Sequence, residues 1–213
     1  ERHEIAGEKA FMMLADYLRS VGLVGTKIVC AEGDCGACSV LRASPLNTKN
    51  AAIEAIYACI VMIAQLDGCQ IVTVEGLSVG SELSAVQKAI VACNGSQCGY
   101  CTPGFAIAIT ACVQKRKAGE TLDEQTVKNH LTGNLCRCTG YTPLIEAALK
   151  VDPADLPKLE KVYQSPVRTR DLKKAWEQSL HIQHENLEFL APATLKEAIH
   201  LRQKTPGTFV GIA

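Results

Sequence analysis

Three cysteines lie within one short, glycine-containing segment of the chain. Cys30, Cys35 and Cys38 follow the spacing C-x4-C-x2-C, with which thiolates bind a [2Fe-2S] cluster together with a fourth cysteine further along the chain. Cys59 is the candidate for that fourth ligand. The segment therefore predicts a cluster-binding loop, and the chemistry it implies is the transfer of single electrons.

A loop that wraps a cluster must curl so that thiolates converge and main-chain N–H groups point at sulfur. Gly33 and Gly36 permit this curl, because glycine adopts positive φ without a Cβ clash. Two alternatives stay open: a structural zinc site also takes four cysteines, and Cys59 has apolar neighbours typical of a packed core thiol. Three cysteines in one loop favour iron and sulfur over zinc, whose sites usually pair two short knuckles.

Two further cysteine pairs supply a second set of four thiols: Cys98, Cys101, Cys136 and Cys138. A threonine–proline step follows each pair, at Thr102-Pro103 and Thr142-Pro143, where threonine is suited to cap a helix and proline to its first position. Helix N-termini present free N–H groups and a positive dipole end to an anionic cluster. The pattern predicts a second cluster between helix ends, with zinc and a C-x2-C thiol redox pair as the alternatives.

The composition is that of a chain with a substantial core. Of 213 residues, 47% are apolar and 21% are charged, which fits one or two compact domains with connecting segments. The cysteine count of 11 is odd, and the spacings are tighter than disulfides usually need. Reduced thiolates that hold metal explain them better. The other three thiols are predicted to lie in the core: Cys69, Cys93 and Cys112.

Charge and hydropathy argue against several classes of partner. Lys plus Arg number 22 and Asp plus Glu number 22, so the formal net charge is zero, which speaks against nucleic acid and anionic membrane. The longest apolar run, residues 55–64, is too short to span a bilayer. The chain starts at Glu1 and its first residues do not resemble a signal peptide. A cytoplasmic location is expected.

The N-terminal part has a mixed pattern. Apolar residues at three- and four-residue steps predict a helix over 7–20, with Gly22 as its stop. Short apolar runs bounded by turn residues predict strands over 39–43, 53–57 and 70–74, with a polar turn at 44–50.

Beyond Leu77 the pattern becomes helical. Helices are expected over residues 83–92, 103–117, 123–131 and 143–151, enough for a small bundle. Residues 152–185 carry charges and prolines without a convincing period, which predicts a linker. A strand at 187–190, a capped helix from Thr194 and a strand at 209–212 are expected to begin a βαβ unit. The predicted fold class is α+β.

Three motifs resemble the iron–sulfur portion of the xanthine dehydrogenase family of molybdenum hydroxylases. They are Cys-Ala-Glu-Gly-Asp-Cys-Gly-Ala-Cys at 30–38, Gln-Cys-Gly-Tyr-Cys-Thr-Pro-Gly at 97–104 and Cys-Arg-Cys-Thr-Gly-Tyr at 136–141. The resemblance implies a ferredoxin-like β-grasp domain over 1–76 and a four-helix bundle over 77–151. A linker over 152–186 then leads to 187–213, which resembles the opening of the family's FAD-binding domain.

The resemblance also implies cofactors and partners. Two [2Fe-2S] clusters are expected, and electrons would pass from a molybdopterin centre on a large partner subunit through the helical-domain cluster and the ferredoxin-type cluster to FAD, then NAD. By position, Gln97 matches the family's glutamine that contacts the pterin, and Cys138 matches the cluster ligand nearest the pterin. Gly33 and Gly36 belong to the loop of the first cluster. Asp34 stands where glycine is frequent, and aspartate tolerates left-handed backbone.

These implications point to the iron–sulfur and FAD small subunit of a bacterial xanthine dehydrogenase, ending at the start of the FAD domain, so that FAD is not bound by this fragment alone. As part of a hetero-oligomer it would serve the hydroxylation of hypoxanthine and xanthine to urate, with no catalytic residue of its own. One alternative keeps the role but has an aldehyde or N-heterocycle as substrate. Another, from a different class, is a zinc-stabilised interaction module without redox activity.

Overall fold

The computed structural model describes residues 2–43, 53–78, 80–117, 119–157, 159, 162 and 166–204. Its α-helices are α1 Leu14–Ser20, α2 Ala85–Ala92, α3 Thr102–Gln114, α4 Glu124–Leu131, α5 Thr142–Lys150, α6 Pro166–Trp176 and α7 Leu195–Lys204. Its strands are β1 Ser39–Ala43, β2 Ile53–Tyr57, β3 Gln70–Val72, β4 Leu180–His184 and β5 Leu187–Ala191. Short 3-10 helices lie at Gly7–Phe11, Ile63–Leu66, Val74–Leu77 and Pro153–Asp155.

Strand β1 is the centre of an antiparallel sheet with the order β2-β1-β3. Both of its faces are buried, because Val40 packs into the core that includes α1 while Leu41 packs into the core built around α3. Both side chains are fully shielded from solvent. Neighbouring residues of a strand point to opposite faces, so the adjacent apolar residues Val40 and Leu41 supply one side chain to each core.

Helix α3 is the centre of the helical part. Every residue from 104 to 113 is buried, and the helix contacts α2, α4, α5 and the first two strands. A helix that is apolar on all sides belongs in the middle of a protein. Helix α3 therefore packs directly against the sheet that follows the first cysteine loop, and so joins the helical part of the chain to the N-terminal part.

Several predicted elements are confirmed with small shifts in their ends, namely the strands at 39–43 and 53–57 and the four helices α2 to α5. The strand expected at 70–74 ends at Val72. The strand at 187–190 and the helix after Thr194 are also present. The turn at 44–50 and the strand at 209–212 lie outside the described residues.

The single helix expected over 7–20 is wrong. A 3-10 helix and α1 are separated at Met12 and Met13, whose backbone is extended. Met13 forms a β-bridge with Met62, and the Met12 carbonyl accepts the N–H of Ile63 at 3.0 Å. Pairing with a distant segment therefore overrides the local helical pattern.

The segment predicted to be a linker, 152–185, contains regular elements that its weak period did not reveal. Helix α6 starts at Pro166, a residue suited to the first turn of a helix, and β4 pairs antiparallel with β5. The period is weak because these elements lie on the surface, where few side chains are buried. The element before α7 is thus a β-hairpin, which the expected βαβ pattern did not include.

No helix among the described residues is both long and apolar enough to cross a membrane.

Gly104 lies where α3 approaches the backbone of the first cysteine loop closely. A Cβ at this position of α3 would overlap the Gly36 carbonyl and lie 3.1 Å from Ala37 Cα. Alanine normally favours a helix over glycine by about 1 kcal/mol, but we expect Gly104→Ala to lower the urea midpoint, because the clash is with backbone that cannot move aside. Gly104→Val should lower it further. An unchanged or raised midpoint for Gly104→Ala would show that the contact is loose.

Candidate metal centres

The loop that carries the first three cysteines curls through left-handed backbone at three positions. Gly33 has φ +79° and Gly36 φ +68°, as the sequence predicts for the cluster loop, and Ala31 has φ 58°. Asp34, which stands where the family often has glycine, is not left-handed, so aspartate carries no backbone strain at this position. Ala31 is the residue that accepts the strained geometry, which a β-carbon makes costly.

The sulfur of Cys30 is surrounded by main-chain donors. The N–H of Cys35 lies 3.5 Å from Cys30 Sγ. Hydrogen bonds from the main-chain N–H groups of Glu32, Cys35 and Asp34 lower the pKa of the Cys30 thiol to about 6. The loop therefore stabilises a thiolate at neutral pH before any metal is present, as expected for a loop whose N–H groups point at sulfur.

Cys38 and Cys59 meet in the interior on the other side of this site. Both are buried, their side chains are hydrogen bonded to each other, and burial raises the pKa of the Cys38 thiol to about 12. The chain brings them together through the β1–β2 pairing, which ends in a bond from Ala58 N–H to the Cys38 carbonyl. A metal cation reverses this preference, since a coordinating thiol is deprotonated outright.

The second set of thiols assembles from the two predicted pairs. Cys98 Sγ lies 3.5 Å from Cys138 Sγ, and the side chains of Cys101 and Cys136 are hydrogen bonded to each other. Burial, followed by the proximity of Cys136, raises the pKa of Cys101 to about 12. The N–H of Tyr100 lowers the pKa of Cys98. The four thiols thus form two contacting pairs.

The helix starts differ in detail from the prediction that the threonines cap. Cys101 and Tyr141 are the N-cap residues of α3 and α5, and Thr102 and Thr142 are the first helical residues. Thr102 Oγ1 donates to Ser96 Oγ instead. The first turn of α3 therefore begins directly at a predicted ligand.

Thr139 and Tyr141 support Cys136, a role that the sequence analysis did not assign. Thr139 Oγ1 lies 3.2 Å from Cys136 Sγ, and the Cys136 N–H donates to the Tyr141 hydroxyl at 3.1 Å. Burial opposes ionisation of Cys136, but the hydrogen bonds from Thr139 lower the pKa of its thiol overall. Such outer contacts orient a metal ligand.

The second site opens to the surface. Cys98 and Cys138 are exposed, and Gln97, the predicted pterin contact, is exposed beside them. Tyr100, Leu135 and Tyr141 are exposed large hydrophobic residues around the same loops. This cluster of thiols and apolar side chains is the kind of surface that another protein surface covers.

Each set is arranged as two pairs rather than as one tight group. Within the described part of the chain, no three His, Cys, Asp or Glu side chains are gathered closely enough to hold one metal ion. A [2Fe-2S] cluster takes its four cysteines two to each iron, and two contacting pairs in each set match that number.

The two sites are joined by a short segment, residues 133–135, which we call the junction segment. The N–H of Leu135 donates to the Cys35 carbonyl at 3.0 Å, and Asn134 Nδ2 donates to the Gly36 carbonyl at 3.0 Å. The Tyr57 hydroxyl donates to the Gly133 carbonyl at 3.1 Å. Sequence reasoning missed Tyr57 and Asn134, because no local pattern reports contacts between such distant residues.

The remaining thiols lie apart from both sets. Cys112 and Cys93 are buried in the core, as predicted. Cys69 is only partly buried, against the core that contains α1, and burial raises its pKa to about 11. Cys93 contacts the ammonium group of Lys150 at 3.4 Å.

Comparison with known proteins agrees with this chemistry. Residues 73–149 match the family described as a [2Fe-2S] binding domain, so such a domain is present. Xanthine dehydrogenase of Emericella nidulans is 43% identical over 137 residues, which are 63% of this chain and 10% of that protein. Aldehyde oxidase of Homo sapiens is 43% identical over 139 residues, with the same shares. The chain spans about a tenth of the length of these curated relatives.

A solved structure covers more of the chain. The crystal structure of quinoline 2-oxidoreductase from Pseudomonas putida 86 is 32% identical, with a TM-score of 0.57, over 76% of this chain and 85% of that one. The chain therefore belongs to the xanthine dehydrogenase family of molybdenum hydroxylases, which are oxidoreductases, and corresponds to their iron–sulfur portion.

Substitution of single ligands tests the division into two sets. We expect Cys35→Ser to abolish or alter one reduced-cluster signal in electron paramagnetic resonance and Cys136→Ser the other, because each thiol lies in a different set.

Cys112→Ala is the matched control, since Cys112 is a buried thiol outside both sets, and it should keep both signals. If either ligand variant changed both signals or neither, the division would be incorrect.

Proposed function

We propose that this chain holds two [2Fe-2S] clusters and relays single electrons between them. The first is held by Cys30, Cys35, Cys38 and Cys59, and the second by Cys98, Cys101, Cys136 and Cys138. The contacts favour one iron on Cys30 and Cys35 with the other on Cys38 and Cys59. In the second set they favour Cys98 with Cys138 and Cys101 with Cys136.

The observation that carries the proposal is the backbone contact between the two sets. Leu135, whose N–H is bonded to the Cys35 carbonyl, is the residue directly before Cys136. A ligand of each set is thus connected by one hydrogen bond and a few covalent bonds. The cofactors supply the redox chemistry, while the chain supplies ligation, burial and hydrogen bonds that set each cluster's potential.

We propose that the exposed face of the second site docks a molybdopterin-binding large subunit in a hetero-oligomer. Gln97 and Cys138 lie on this face, and the exposed Tyr100, Leu135 and Tyr141 give it an apolar rim. Electrons then enter at the second cluster, pass to the first, with Gly33 and Gly36 shaping its loop, and leave through FAD to NAD. FAD binding is assigned to the rest of the domain that begins near 187.

The whole enzyme is proposed to oxidise hypoxanthine and xanthine to urate. An aldehyde oxidase and a xanthine dehydrogenase are both 43% identical to the matched part of the chain, so an aldehyde or N-heterocycle is the second candidate. We further propose a ferredoxin-like β-grasp domain over 1–76, a four-helix bundle over 77–151 and a connection over 152–186. A cytoplasmic location suits thiolate ligands that must stay reduced.

Metal analysis tests the cluster assignment. The chain purified from cells that build iron–sulfur centres should contain about four iron and four sulfide per molecule, since each [2Fe-2S] cluster contributes two of each. Dithionite reduction should produce two distinct signals in electron paramagnetic resonance.

Chelation of the iron should lower the thermal unfolding midpoint, because bound metal stabilises the folded state. Zinc in place of iron, with no signal on reduction, would support the non-redox interaction module and refute the relay.

A further inference from the structure

Tyr57 is tied to the first ligand set through the backbone. It is the last residue of β2, pairs with Ser39 directly after Cys38, and precedes Cys59 by two residues. Its side chain is partly buried. Its backbone is therefore paired directly with the segment that carries Cys38.

The Tyr57 hydroxyl reaches across to the other set. It donates to the Gly133 carbonyl, three residues before Cys136. Gly133 leaves the necessary room, because a Cβ there would overlap the Tyr57 hydroxyl. The contact therefore needs a tyrosine at 57 and a glycine at 133, because any side chain at 133 would displace the hydroxyl.

The same segment has two more attachments to the first set. Asn134 donates to Gly36 and Leu135 to Cys35. Gly133, Asn134 and Leu135 thus each form one hydrogen bond with the first part of the chain. Two of the partners lie in the cysteine loop, and the third, Tyr57, lies outside it. Among the hydrogen bonds of the described residues that join the segment to the first set, loss of the Tyr57 bond leaves those of Asn134 and Leu135 to the loop 30–38, which has left-handed backbone at three of its nine residues.

Building on the relay proposed above, we propose that Tyr57 is a positioning residue that holds the junction segment against the first cluster loop and so sets the rate of electron passage between the clusters. It touches no reacting atom. Its effect is on the contact between Leu135 and Cys35.

The test uses the cluster-loaded chain and Tyr57→Phe, which removes only the hydroxyl. Tyr17→Phe is the matched control, because Tyr17 is a buried tyrosine of the same part of the chain whose hydroxyl is bonded to His3 Nδ1 at 2.6 Å, away from the junction. Both variants lose one hydrogen bond of a phenol. A general loss of stability would appear in both.

We expect Tyr57→Phe to keep its iron content and both reduced-cluster signals. The magnetic interaction between the two reduced clusters should become weaker. Electron equilibration between them after flash reduction should be slower by about two- to fivefold, for the loss of one hydrogen bond. Tyr17→Phe should match the unchanged protein. Gly133→Ala, which displaces the hydroxyl by another route, should give the same signature as Tyr57→Phe.

Two results would overturn the inference: unchanged magnetic interaction and rate in Tyr57→Phe, or equal changes in Tyr17→Phe. These differ from a failure of the relay itself, in which the unsubstituted chain would lack two reduced-cluster signals.

Discussion

The Gly36 carbonyl oxygen accepts hydrogen bonds from both parts of the molecule. The main-chain N–H and the hydroxyl of Ser39 reach it at 3.1 and 2.7 Å, and the Asn134 side chain reaches it at 3.0 Å. A Cβ on Gly104 would occupy the same space. The first loop, the central helix and the segment before Cys136 therefore converge on one atom.

Glycine is required at this point for two reasons that act together. Gly36 has positive φ, and a Cβ there would overlap the Gly133 carbonyl and lie 2.6 Å from Asn134 Nδ2. The glycine that lets the loop curl is thus also the one that lets the helical part approach. Curl and approach are coupled, because any side chain at Gly36 would disturb both.

The sequence predicted what is local and missed what is long-range. Ligand spacing, helix periods and glycine positions act within a few residues, so both cysteine sets and the four central helices could be inferred. The break at Met12 and Met13 comes from the pairing of Met13 with Met62, and the bonds of Tyr57 and Asn134 cross 76 and 98 positions. Surface elements such as α6 and β4 bury too little to show a clear period.

The two sites differ in what completes them. In the first, Cys38 and Cys59 are buried by the chain itself, and main-chain donors stabilise the Cys30 thiolate. In the second, Cys98 and Cys138 face solvent. Solvent exposure and hydrogen bonds to sulfur both tune cluster potentials. If each set holds a cluster as proposed, a surface that covered Cys98 and Cys138 would shift the potential of the second cluster, whereas the buried Cys38 and Cys59 would leave that of the first as this chain determines it. In the proposed relay, docking at the second site would therefore set the potential difference between the two clusters.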